Sequence, residues 1–551
     1  MKATGKVLFC MRIRLSPACW LVLLCVLIAA PKALGCNQLT AGQTLSIRLL
    51  EPVSTYTAKV GDPIHAVLSQ DLVCEDQVVL PMGSKIEGSV RSKHKVGWGI
   101  RHETAALELE FHSATVSPGV EVVFTARVEE VENAREQVRN GVIHGIRSTN
   151  TFQGSINSRL IHLPTWNPYS DTFLIVYKAV FPIFPEPEIY YPAGTDIRLR
   201  TTTEISVPAS NSAAEHGLSL PVKADSGEFD KFVEQLPVRA KTTANIDADL
   251  LNIVFIGSES QVSSAFHEAG WHNADPHSKH AWMKSFYALL NNSGYAHQPM
   301  TTFHLNGKPE DMDWEKDLNS YDRRDHLRIW QWKSAEMAEP VWITSSTHDT
   351  HAVLAVKYKG FVHHIAPNID EERSTVIRDL NFDGCVKSIS YVSRAEMPTN
   401  THNATGDPIH TDGSIAVITL QDCRPANPEF VFQADSGRFK PGNYAFRYIR
   451  KQILTFRNDI WRANIIYGAY DVGRMTWMAL RRQPAITQYT PPERSPIEEK
   501  SGWKAQASIP SSDAEFALTD QINGLECCGI PDAEADEHLS SEKLGEDVGV
   551  D

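Results

Sequence analysis

Positive charge is scarce in this chain. Its 551 residues carry 53 Lys and Arg against 67 Asp and Glu, a net charge of −14, which argues against nucleic acid as a partner. The deficit is uneven. Glu493 to Asp551 holds fifteen acids and four bases, so −11 of the −14 sits in the tail and the remainder is close to neutral. Long apolar runs are scarce too. The one that stands out, Ala18 to Ala30, is too short to span a bilayer comfortably, so the mature chain is expected to be soluble or peripheral. Compact catalytic signatures are missing as well. There is no Gly-x-Ser-x-Gly elbow, no P-loop or dinucleotide fingerprint and no His-Glu-x-x-His, which removes the reaction classes those motifs mark.

What is present begins with an export signal. Lys2, Lys6, Arg12 and Arg14 precede the apolar run, and Ala33-Leu34-Gly35 follows it, small at both positions a signal peptidase inspects. Residues 1–35 are therefore expected to be cleaved, with Met11 as an alternative start, placing the mature chain in the periplasm or cell envelope, or in the medium. Leu34-Gly35-Cys36 half-matches a lipoprotein box, which leaves lipidation of Cys36 as an alternative to plain cleavage. Cleavage leaves Cys36, Cys74, Cys385, Cys423, Cys527 and Cys528. An even count in an exported chain implies disulfides. Cys36–Cys74 and Cys385–Cys423 are the natural pairs, because each lies within one expected domain.

The chain divides by pattern into a multidomain protein. Residues 38–207 show short alternating runs such as Leu45 to Leu49, Leu107 to Phe111 and Val120 to Phe124, punctuated by Gly, Pro and Asp, as in an all-β barrel or sandwich. Ala41 to Leu49 echoes Ala193 to Leu199, so these are expected to be the first and last strands of one closed unit. Residues 208–227, rich in Ser, Ala and Pro, read as a linker. Residues 228–427 open with the apolar strand Leu250 to Ile256. A helix follows from Glu259 to Ala269, another covers Ser278 to Leu290, and a third is expected to start at Asp370; between and after them the pattern is strand-like. This is an α+β pattern. Residues 438–485 form a basic helical unit, and residues 489–551 a disordered acidic tail. The helical stripe carries Arg447, Arg450, Lys451 and Arg457 beside Phe446, Ile449 and Ile453. Such a stripe can rest on an anionic membrane or dock on the preceding domains, the commoner use.

Two resemblances bear on these domains. In the first, Gly42-Gln-Thr44, Val60-Gly-Asp-Pro63, Leu80-Pro-Met-Gly-Ser84 and Ile86-Glu-Gly-Ser-Val90 resemble the β-barrel domain of TrbI-type conjugation-channel proteins, which implies a barrel in the envelope without implying a secretion channel. The second spans residues 228–427. Asn252 to Ser258, Ala265 to Trp271, Asp275-Pro276, Gly307 to Asp311, His326 to Trp330, Thr347-His-Asp349 and His363 to Arg373 together resemble the LssY C-terminal domain. That family brings no established activity. Some members join it to a membrane phosphatidic-acid-phosphatase unit, but its Pro-Ser-Gly-His segment and helix bundle are missing here. Ala366 and Asn368 stand where the family pattern has acids.

Candidate chemistry centres on His326, Arg328, His348, Asp349 and His364. If the strands around His326 and His348 form a hairpin centred near Met337, the two histidines face each other, with Asp349 in the following turn and His364 brought to the same edge. His326, His348 and His364 would then hold a divalent metal such as Zn²⁺. His348 and Asp349 would act on the bound water, and Arg328 would steady a phosphoryl or acyl oxygen. Such a site would make a metal-assisted phosphoester or acyl hydrolase. The competing expectation is a structural polar cluster in a non-catalytic envelope protein that binds or assembles with an envelope partner. Asp370 then serves as a helix cap, Glu371 and Glu372 as first-turn acids, and His351 and His363 face solvent.

Overall fold

The structure is a computed structural model that describes residues 38–146, 186–206 and 222–424 apart from short gaps, and six positions between 445 and 454. The expected signal peptide with Cys36, most of the linker, most of the basic unit and the acidic tail with Cys527 and Cys528 lie outside the described residues.

Alternating apolar residues build the N-terminal domain. Leu45, Ile47 and Leu49 on strand β1 (Thr44–Leu49) all point inward, as do Leu107, Leu109 and Phe111 on β4 (Ala106–Ser117), each at most 1% exposed. The other strands are β2 (Pro63–Leu68), β3 (Lys85–His94), β5 (Val120–Val131) and β6 (Asp196–Thr201). Pairing runs β4-β3-β2-β1-β6-β5 and returns from β5 to β4, a closed six-stranded barrel without free edges. The two echoing segments lie side by side, Leu45 opposite Leu199 and Ile47 opposite Ile197. Gly88 on β3 permits the closure, since a Cβ there would sit 2.6 Å from the Phe111 ring.

The second domain is built on β7 (Ile253–Ile256), an apolar run buried along its whole length. It lies parallel to β13 (Ser414–Leu420) and antiparallel to β10 (Val341–Ala355). The nine-stranded sheet runs from Val222–Lys223 through β12 (Val386–Ser393), β13, β7, β10, β9 (Arg324–Trp332) and β8 (Met312–Lys316) to His272–Asn273, with β11 (Gly360–Ile365) also on β10. Helix α1 (Asp230–Glu234) covers one face, placing Phe232 and Val233 on Val254, Trp330 and Ile343. Helices α2 (Glu259–Glu268) and α4 (Ile369–Phe382) cover the other, placing Phe266, Val376 and Leu380 on Phe255, Leu327 and Trp342. Helix α3 (Lys279–Asn291) starts at Ser278 as expected.

Several local expectations change. The cap of α4 is Asn368, whose side chain accepts from the Asp370 amide, and Asp370 lies in the first turn. Asp349 is not in a turn, because β10 continues through it to Ala355. The Cys385–Cys423 disulfide is present. Cys74 is also disulfide-bonded, with its partner outside the described residues. No helix among the described residues is long and apolar enough to cross a membrane.

The barrel and the α+β domain belong to one compact unit and meet through buried charge. Arg48 and Asp196 of the barrel pair with each other at 2.8 Å. Lys316 of β8 bonds Asp196 at 2.9 Å and Asp379 of α4 at 2.7 Å, while Arg48 reaches Asp379 at 3.2 Å. Arg378 pairs with Glu132 at 2.7 Å, and the Trp271 indole donates to Asp379 at 3.1 Å.

Candidate functional site

Strands β9 and β10 place the chemistry, and their register decides what meets. Asp325 lies opposite His348, and His326 opposite Thr347. The pairing is one residue away from a hairpin centred on Met337. Because side chains alternate across a sheet, that shift moves them to the opposite face. His348 and Asp325 lie on the α4 side, and Arg324, His326, Arg328 and Asp349 on the other.

On the α4 side, His348 Nδ1 and Asp325 Oδ1 are 2.6 Å apart. The Asn133 amide, reaching in from the barrel, donates to Asp325 Oδ2 at 2.7 Å and to the Lys316 carbonyl at 3.1 Å. Ser346 Oγ donates to Glu372 Oε1 at 3.2 Å, and Glu372 also shares a hydrogen bond with Asp325. Asp325, His348 and Glu372 each offer an atom within 4.8 Å of the other two. Burial pushes Glu372 well above the usual carboxylate range, reinforced by the Asp325 charge. Burial opposes the charged forms of Asp325 and His348, but their mutual bond outweighs it, so Asp325 falls to about 2 and His348 rises.

On the opposite face, the Arg324 guanidinium donates to Asp349 at 2.8 Å and pairs with Glu315. Burial would raise Asp349, but at the low pH where it titrates His326 and His363 are protonated, and with Arg324 they outweigh burial and hold the carboxyl below its usual range. Glu315 is pushed up to about 8, first by burial and then by Asp317 and Asp349, against the pull of Arg324. Burial lowers His326 to about 3 and His363 to about 4, so both are neutral imidazoles near pH 7. His363, expected to face solvent, is half-buried. It meets Gln298 Nε2 at 3.0 Å and the Tyr321 carbonyl at 3.3 Å. His351 is exposed, as expected.

The expected ligand set is thus dispersed into separate pairs. His326 contacts Thr347 at 3.1 Å and Asp349 at 3.4 Å. His348 pairs with Asp325, and His364 pairs with Asp407 at 2.5 Å while stacking on His351. Arg328 is not poised over His348. Its Nε donates to the Thr301 carbonyl at 2.9 Å, and its guanidinium lies 4.1 Å from the Phe303 ring centroid. Sequence reasoning missed Asn133, Asp325 and Glu372. Glu372 was legible in principle, since it follows Ile369 by three residues and precedes Val376 by four, on the buried stripe of α4.

Residues 233–415 match the LssY C-terminus family, within the span the sequence resemblance covers. No curated protein matches the chain. Among solved structures, the chain is similar to ComB10 of the Com type IV secretion system of Helicobacter pylori, at 13% identity. The match covers 32% of this chain and 93% of that one, with a TM-score of 0.19, and no inference rests on it.

Proposed function

With residues 233–415 matching the LssY C-terminus family, we propose that this chain is an exported, non-catalytic module of the bacterial-type cell envelope that binds or assembles with an envelope partner. The observation that carries this reading is the charged junction between the barrel and the α+β domain. Removing so many ions from water is expensive, and their pairing brings little net stability. What such a network supplies here is a fixed relation between two surfaces, as a protein that joins partners needs. Export through residues 1–35 and a Cys36–Cys74 bridge complete the reading. Contact with anionic membrane is left to Arg447, Lys451 and Arg457, because Arg450 is buried against the barrel, pairing with Glu186 and Glu188.

The test uses the full chain expressed with its N-terminus intact. The expected result is a mature protein in the envelope fraction, beginning near Cys36 and migrating on native gels as part of a larger complex. The purified protein, given Zn²⁺ or Mn²⁺, should not turn over phosphoester or acyl-ester substrates. Cytosolic protein retaining Met1 or Met11 would overturn the localisation. Turnover abolished by His348→Ala, Asp349→Asn and Arg328→Gln would replace the assembly reading with the metal-assisted hydrolase.

A further inference from the structure

The cluster on the α4 side has the makings of a cation site. It is assembled from four elements: Asp325 on β9, His348 on β10, Glu372 on α4 and Asn133 from the barrel. Asn133 holds a left-handed backbone, φ +56°, which turns its amide towards Asp325. That residue is 4% exposed, yet its amide oxygen has no hydrogen-bond partner. Its amide nitrogen faces Asp325 and holds that carboxylate from the barrel side.

We infer that Asp325, His348 and Glu372, with the Asn133 amide, form a binding site for one divalent transition-metal ion such as Zn²⁺ or Mn²⁺. Two adjacent carboxylates out of water need positive charge between them. A divalent cation held among Asp325, His348 and Glu372 would supply it. The geometry is close to what an ion requires. Ligand atoms about 2.0–2.2 Å from a metal stand roughly 3–4 Å from one another, and here the three candidate atoms fall within 4.8 Å. One imidazole and two carboxylates form a mixed nitrogen and oxygen set suited to these ions. The His348 side chain is 24% exposed while Asp325 is 5%, so the histidine side offers a route for the ion and a position for water. With Asn133 holding Asp325 Oδ2 from the barrel at 2.7 Å, the ion would sit where the barrel meets the α+β domain. This site stands apart from the assembly reading and can fail without it.

The experiment titrates Zn²⁺ and Mn²⁺ into the full mature chain, purified without a histidine tag, and reads stoichiometry by calorimetry and elemental analysis alongside the melting temperature. One ion per chain is expected, with a rise of several degrees in melting temperature. Asp325→Asn and Glu372→Gln should abolish binding. Glu372→Gln keeps the shape of the side chain while removing its ability to carry charge, so it reports on the site. Asn133→Ala should weaken binding about 10- to 100-fold, the usual range for a supporting group. The control His364→Ala should bind like the parent. No binding of either metal at millimolar concentration would overturn the inference. So would unchanged binding by Glu372→Gln, or loss of the ion on changing His364 instead.

Discussion

Arg324 carries one positive charge and faces two carboxylates, Asp349 and Glu315, both almost wholly buried. The low pKa of Asp349 and the high pKa of Glu315 mean that one acid is ionised and the other neutral near pH 7. Glu315→Gln mimics the protonated form, so it should alter stability by less than about 1 kcal/mol below pH 4.5 and should stabilise the chain progressively above it, where the parent must take up a proton to fold. Asp349→Asn strands a buried guanidinium and should cost about 3–5 kcal/mol. The same assignment fixes a pH dependence. Between the ordinary value of 4.5 and the folded value of about 8, folded Glu315 holds a proton the unfolded chain has released. Its contribution therefore falls as pH rises through that window, by about 1.4 kcal/mol per unit. Urea unfolding of parent and Glu315→Gln at pH 6.5 and 8 isolates this slope, because other titrating groups are common to both. Equal slopes, or a Glu315→Gln penalty matching that of Asp349→Asn, would show that Glu315 is ionised.

At the scale of elements, the basic segment after residue 438 meets the barrel through Arg450, 1% exposed in its side chain. It pairs with Glu188 at 2.9 Å and donates to the Gly97 carbonyl at 2.6 Å, while Leu454 joins the barrel core. Arg450→Gln should destabilise the chain by about 3–5 kcal/mol by leaving Glu188 buried without a counter-ion. An unchanged melting temperature would show that this segment does not hold to the barrel in solution. Elements with one clear apolar face were legible in the sequence. The barrel strands, the β7 core strand and the helix behind it follow from alternation, a continuous apolar run and the helical spacing from Glu259 to Ala269. The register of β9 on β10 was not. From Arg324 to Trp330 every residue of β9 is buried, since helices and loops cover both faces. No polar-out alternation remains to show which of two adjacent registers is right. The chemistry followed that ambiguity. With His326 opposite His348 the sequence offered a three-histidine site, whereas the actual register gives Asp325 to His348 and leaves Asp349 to Arg324. Asn133 was beyond reach for another reason: nothing local in a turn of the barrel marks it as reaching 192 residues along the chain to Asp325.

At the scale of the molecule, the barrel and the α+β domain belong to one compact unit and should unfold together. Asp379 is the residue that ties them. Fully buried, it accepts from Lys316, Arg48 and the Trp271 indole at once, and so joins β8, α4 and the barrel. Differential scanning calorimetry of the parent chain and of Asp379→Asn tests this most directly. The parent should unfold in a single cooperative transition. Asp379→Asn, with two buried cations short of one anion, should melt lower and separate into two transitions as the domains uncouple. Two resolved transitions in the parent, or an Asp379→Asn chain that keeps the parent's single peak at the parent's temperature, would contradict the account.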